Sequence, residues 1–99
     1  MGPPNAPDRT LLGEEAITQA LAGLAWQRRG AEIIKTAKLG SFERAMAYVN
    51  DVAGLAEAVD HHPDIDIRWD TVHLTLTSHS SGGLTRADFE LAADIDKLG

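Results

Sequence analysis

Asp60-His61-His62-Pro63 sets two imidazoles side by side at the end of a helical pattern, and a third histidine, His79, follows further along the chain. Histidine is the side chain whose ordinary pKa, roughly 6.5, lies near neutrality, so each can give or take a proton there. Paired imidazoles therefore point to proton chemistry or to metal binding. Glu57 and Asp60 fall in the last helical turn before them, where the negative end of the helix dipole disfavours carboxylates by roughly a few tenths of a kcal/mol and favours a protonated histidine. Acidic groups placed against that local rule can favour the imidazolium or hold one ring tautomer. A solvated helix end with scattered charge accounts for the same spacing without chemistry.

The other candidates divide by position. His79 closes a strand and meets a turn rich in serine and glycine, His79 to Gly83, where side chains and free backbone groups commonly face ligands. His73 falls in mid-strand on a polar face and reads as a surface or interface residue. Thr85 and Asp88 make a Thr-x-x-Asp capping pattern, so helix capping explains Asp88 without catalysis. Trp26 and Trp69 flank hairpins, where aromatics usually pack into a core or an interface. Adjacent histidines rarely chelate one ion together, and neither His-x-His nor His-Glu-x-x-His occurs, so a metal site is disfavoured. No serine or threonine sits in a nucleophile-elbow motif, and Gly82-Gly83 is too short for a phosphate loop.

These residues need elements to hold them. Residues 14–24 carry Ile17, Ala20, Leu21 and Leu24 at helical spacing, with Glu14 and Glu15 in the first turn. Residues 26–29 and 31–39, broken by Gly30, read as a hairpin; Ile33, Ala37 and Leu39 share a parity with Lys35, while Ile34 has the other. Ser41 is the predicted N-cap of a long helix with an apolar stripe of Phe42, Ala45, Met46, Val49, Val52, Ala53, Ala56 and Val59. Pro63 disfavours helical geometry at His62, so this helix ends near Asp60 or His61 and delivers the histidines at its C-terminal mouth. Residues 66–69 and 71–78 form a second hairpin, in which Val72, Leu74 and Leu76 alternate with Thr71, His73, Thr75 and Thr77. A last helix starts at Thr85 and turns Phe89, Ala92, Ile95 and Leu98 to the core.

The predicted order, α-β-β-α-β-β-α, describes an α+β two-layer sandwich: a four-stranded antiparallel sheet with three helices on one face. Ninety-nine residues suffice for one domain and one modest core, taken as residues 13–99 after a disordered lead-in of residues 1–12 that contains three prolines. A net charge of -6 offers no basic surface for nucleic acid. There is no cysteine, hence no disulfide, thiolate metal site or cysteine nucleophile. No apolar run is long enough to span a membrane and no secretory signal is encoded, so the expected location is cytoplasmic.

Taken together, the sequence resembles the pterin-4a-carbinolamine dehydratases, also called 4a-hydroxytetrahydrobiopterin dehydratases, over residues 14–98. The resemblance rests on Glu57, His61, His62, Pro63, Trp69, His79 and Asp88 in order and spacing, with Trp26 and Gly30 upstream and Gly83-Leu84 downstream. It implies elimination of water from a 4a-hydroxytetrahydropterin, with His61 and His79 as the acid-base pair and His62 mainly orienting the pterin. It also implies that Glu57 and Asp60 bias His61 toward its charged form, that Ser78, Ser80 and Ser81 frame the substrate through backbone groups, and that Pro63 and Asp88 belong to the substrate site. No metal or organic cofactor is implied. The expected partners are the pterin and further copies of the chain, as a homodimer or homotetramer, with a link to the aromatic amino acid hydroxylases. Relatives in animals also serve as transcriptional coactivators, and some members are tied to molybdopterin metabolism, so a non-catalytic interaction module is the rival expectation. Two departures stand out: Ile65, Asp66 and Ile67 replace the aromatics that animal members carry after the proline, and Ala87 stands where many have arginine.

Overall fold

The structure, a computed structural model, describes residues 9–99. Residues 1–8 of the expected lead-in lie outside the described residues. The elements are α1 (Glu14–Leu21), β1 (Gln27–Arg29), β2 (Glu32–Lys38), α2 (Phe42–Val59), β3 (Asp64–Arg68), β4 (Thr71–Leu76) and α3 (Arg86–Asp96), with a 3-10 turn at His79–Ser81 between the last two. The expected α-β-β-α-β-β-α order and the four-stranded antiparallel sheet are both present, in strand order β1-β2-β4-β3.

β4 is central and shows why the sheet has one covered face. Val72, Leu74 and Leu76 are fully buried, while His73 is exposed and bonds across to Thr36 on the outer face, its Nδ1 3.0 Å from Thr36 Oγ1. In register with them on β2 lie Ala37, Lys35 and Ile33, which settles the parity left open by the sequence. Lys35 points inward despite its charge because Asp96 of α3 meets its ammonium at 2.6 Å. Burial raises the Asp96 pKa, but the Ala25 N–H, the Lys35 ammonium and the Trp26 indole N–H overcome it and hold the carboxyl below its ordinary value. Trp26 is thereby anchored in the core at both its ring and its polar tip.

Ser41 caps α2 as expected, its hydroxyl accepting from the Arg44 N–H at 3.1 Å. The buried stripe is rotated from the expected one. Ala45, Tyr48, Val52 and Ala56 face the core, whereas Phe42 is 54% exposed and Ala53 is also exposed. Tyr48, an amphipathic residue omitted from the predicted stripe, fills the core with its ring; its hydroxyl is buried near the Lys35–Asp96 pair with no well-formed hydrogen bond among the described residues, and burial, outweighing the nearby Lys35 ammonium, pushes its pKa up. In α3, Phe89, Ala92 and Ile95 are buried as expected, but Leu98 lies beyond the helix end and is exposed. The first helix stops at Leu21 because Ala22 is extended and Gly23 takes a φ of 82°, a left-handed value that glycine adopts without steric cost.

Candidate active site

α2 terminates in a way that separates the two adjacent histidines. Asp60 adopts φ 50° and ψ 47°, a left-handed conformation that aspartate tolerates better than most residues, and the His61 N–H reaches back to the Ala56 carbonyl at 3.1 Å. The reversal turns His61 inward, where it is 4% exposed, and leaves His62 on the surface. Pro63 follows, blocks further helix and feeds directly into β3.

Behind His61 stands Asp88, which has no exposed surface. One carboxylate oxygen, Oδ1, lies 2.6 Å from His61 Nε2; the other accepts from the Ser78 hydroxyl and the Thr85 N–H, each at 2.9 Å. Because Ser78 Oγ donates to Asp88, its 2.7 Å contact with Thr85 Oγ1 requires the threonine to be the donor there. Asp88 therefore caps α3, as the Thr-x-x-Asp pattern predicts, and also grips the imidazole. The other ring nitrogen, Nδ1, is 3.0 Å from Nη1 of Arg9. A guanidinium can only donate, so Nδ1 is the acceptor and Nε2 carries the proton donated to Asp88. The arrangement suits the tautomer of His61 with its hydrogen on Nε2.

Arg9, Asp60, His61, His62, Thr77, His79 and Ser80 line an open cleft of about 290 Å³. A neighbouring hollow of about 440 Å³, bounded by Arg29, Glu32 and Gly83 among others, shares Thr77 and His79 as a common wall. Five of the sequence-predicted site residues, Asp60, His61, His62, His79 and Ser80, are brought to one cleft. Glu57 is placed differently from its expected role: it faces His62 at 3.2 Å, across an exposed gap, and the carboxylate on His61 is Asp88. Asp60 contributes a backbone carbonyl, which accepts from Arg9 Nη2 at 2.9 Å. Ser78 is 1% exposed and serves Asp88, while the Ser81 hydroxyl donates to the Arg9 carbonyl at 2.6 Å. Trp69, 70% exposed, sits at the β3–β4 turn, the opposite end of β4 from His79.

Sequence reasoning missed Arg9. Its one available signal was electrostatic: α2 has no basic residue in its last turn, so its negative end lacked a cation. Residues 9–12, assigned to the lead-in, run along the domain, with Leu11 bridged to Thr85 and the Leu12 N–H donating to the Leu84 carbonyl at 3.0 Å.

The chain matches the family model for pterin 4 alpha carbinolamine dehydratase over residues 10–98. Among curated proteins carrying that family's name, one from Roseiflexus sp. (strain RS-1) is 53% identical over 90 residues, covering 90% of this chain and 97% of its own. Another from Nocardia farcinica (strain IFM 10152) is 53% identical over 89 residues, covering 89% and 94%. Of solved structures, a transcriptional coactivator/pterin dehydratase from Brucella melitensis superposes with a TM-score of 0.83 at 30% identity, over 88% of this chain and 96% of that one. A pterin dehydratase-like protein, identified as a RuBisCO assembly factor in the alpha-carboxysome, gives 0.62 at 25% identity, over 80% and 92%. By the extent of the family match and the identity of these relatives, the chain belongs to the pterin-4a-carbinolamine dehydratase family.

Proposed function

We propose that the His61–His79 cleft eliminates water from a 4a-hydroxytetrahydropterin to give the quinonoid dihydropterin. The observation that carries this reading is the buried His61–Asp88 pair, which presents Nδ1, covered by the Arg9 guanidinium, toward a cleft that also holds His79. Hydroxide is a poor leaving group, so an acid must protonate the 4a-hydroxyl as its bond to carbon breaks and water departs. The electron pair of the N5–H bond then forms the N5–C4a double bond, and a base takes the N5 proton. His61, whose Nδ1 lone pair is released once the Arg9 guanidinium moves aside, fits the base, and His79 in its protonated form is the acid. Their proton inventory is restored through solvent, to which His79 is open.

Asp88 fixes the tautomer of His61 and stabilises the imidazolium formed on proton uptake, as the aspartate of a hydrolase triad does. Ser78 acts through Asp88, not on the substrate. His62, exposed and partnered only loosely by Glu57, orients the pterin, and the backbone of Ser80 and Ser81 frames it. The substrate carries its own reactive centre, so the reaction as written draws on no cofactor. In this reading the chain recycles the pterin of aromatic hydroxylases from the cytoplasm, as a homo-oligomer.

A spectrophotometric dehydration assay tests the proposal. His61→Ala and His79→Ala are each expected to lower kcat by about 10²- to 10⁴-fold, and His62→Ala to act chiefly on KM. A wild-type protein that does not accelerate dehydration overturns it. That result favours the second reading, an interaction module, for which the exposed Trp69 and Phe42 offer apolar contacts and which the carboxysome relative exemplifies.

A further inference from the structure

The charges around His61 nearly all favour its cation. Asp88 from α3 touches Nε2, Asp60 and Glu57 belong to the end of α2, and the negative pole of α2 itself lies alongside. His62 and His79 complete the surroundings from the same cleft. Among the described residues the permanent opposing charge is that of Arg9, to which a protonated His79 in the same cleft would add. The Arg9 guanidinium bridges Nδ1 of His61 and the Asp60 carbonyl, and thereby also supplies the cation missing from the α2 terminus.

Arg9 is held there by more than its own side chain. The Ser81 hydroxyl donates to its carbonyl, Leu11 bridges to Thr85, and Leu12 bonds Leu84. Gly83 lies close against this segment: a Cβ there would come 3.2 Å from Leu11 Cδ2, a tight contact. We propose that residues 9–12 form a strap seating Arg9 on His61, and that Arg9 is a positioning residue holding the imidazole neutral, with Nδ1 toward the cleft, until substrate displaces the guanidinium.

The consequence is functional. An imidazolium cannot take the N5 proton, so without Arg9 the surrounding carboxylates and the helix pole would disarm the base. When substrate enters, a rotation of the Arg9 side chain frees Nδ1 without disturbing the strap, because the backbone contacts are independent of the guanidinium. In its kinetic consequence the inference rests on the dehydratase reading; in its electrostatic content it does not.

The test compares wild type with Arg9→Ala and Arg9→Lys, each checked for an unchanged far-UV circular dichroism spectrum. Histidine ring ¹⁵N spectra recorded against pH on the free protein report when His61 gains its second proton. Removing the adjacent cation is expected to move that event up by about one pH unit in Arg9→Ala. Arg9→Lys, which keeps the charge but cannot reach both acceptors as a fork, is expected to stay closer to wild type. The acid limb of the kcat profile is expected to move up with it. Superimposable His61 titrations in wild type and Arg9→Ala overturn the proposal. A shifted titration in a protein that dehydrates no pterin upholds the strap and refutes the dehydratase reading instead.

Discussion

Replacing Asp88 by asparagine is expected to separate the structural from the chemical role of this carboxylate. In the native site Asp88 accepts from three donors: His61 Nε2–H, Ser78 Oγ–H and Thr85 N–H. Asparagine has one acceptor oxygen and one donating NH₂ group. The Thr85 N–H belongs to the backbone and cannot invert, and Ser78 donates beside it, so the amide oxygen takes the Oδ2 position. The NH₂ group is then left facing the His61 Nε2–H. Relief requires His61 to move its proton to Nδ1, where it confronts the donating Arg9 guanidinium.

Either conflict removes one charge-assisted hydrogen bond, a loss of about 1.5–3 kcal/mol. For a domain of this size that corresponds to a fall in Tm of roughly 10 °C. The effect on rate is larger. A wrong-tautomer histidine of this kind costs about 10⁴-fold in a serine protease triad, and kcat here is expected to drop by about 10²- to 10⁴-fold. Thermal melts, the dehydration assay at 25 °C and ring ¹⁵N spectra measure the three consequences separately. Asp88→Ala, which strands all three buried donors, serves as the stability comparison, with a loss of about 3–5 kcal/mol. If Asp88→Asn keeps kcat within about threefold of wild type while Nε2 still carries the proton, the assigned role of Asp88 is wrong.

Tyr48→Phe removes a buried hydroxyl that makes no well-formed hydrogen bond among the described residues, so stability is expected to hold or rise by about 1 kcal/mol in urea unfolding; a loss greater than that would show a bond at Tyr48 Oη, with the nearby Lys35 as its partner. The Asp96 carboxyl has a folded pKa below its ordinary value near 3.8, so its contribution is complete above that value and is lost as pH falls through the lower folded one. The stability gap between wild type and Asp96→Asn should therefore shrink below about pH 4, and a gap constant from pH 6 to pH 2 would contradict the pairing with Lys35. His73→Ala should leave kcat and KM unchanged, because His73 bonds Thr36 on the outer face of the sheet; a catalytic loss there would relocate the site.

The elements that were legible in the sequence are those with a clean period or a hard stop. β4 announces its buried face by strict alternation, and Pro63 marks the end of α2 whatever packs against it. The parity of β2 was not legible, because Lys35 is buried only by virtue of Asp96, a partner 61 residues away that no local pattern reveals. Phe42 was misplaced for a related reason: helical spacing includes it in the apolar stripe, but it sits in the first turn, where the sheet no longer covers it. Asp88 was legible twice over, as a capping residue and as part of the family resemblance, yet neither signal showed that one carboxylate does both jobs.

The adjacent histidines show how far spacing can carry an assignment of roles. Side by side in sequence, His61 and His62 have the same local composition, and Glu57 and Asp60 were both tied to His61. What divides them is a single left-handed residue. Asp60 turns the backbone so that His61 falls beneath the start of α3, where Asp88 is committed to receive it, while His62 continues outward to meet Glu57 in solvent. A carboxylate with no exposed surface acts on its partner in a low-dielectric setting, whereas one at an exposed pair is screened to little effect. On the proposed mechanism, the unequal burial of two carboxylates decides which imidazole is held for proton transfer. Replacing Asp60 by glycine, which keeps the left-handed turn, should preserve that division, and replacing it by valine, which resists the turn, should abolish it.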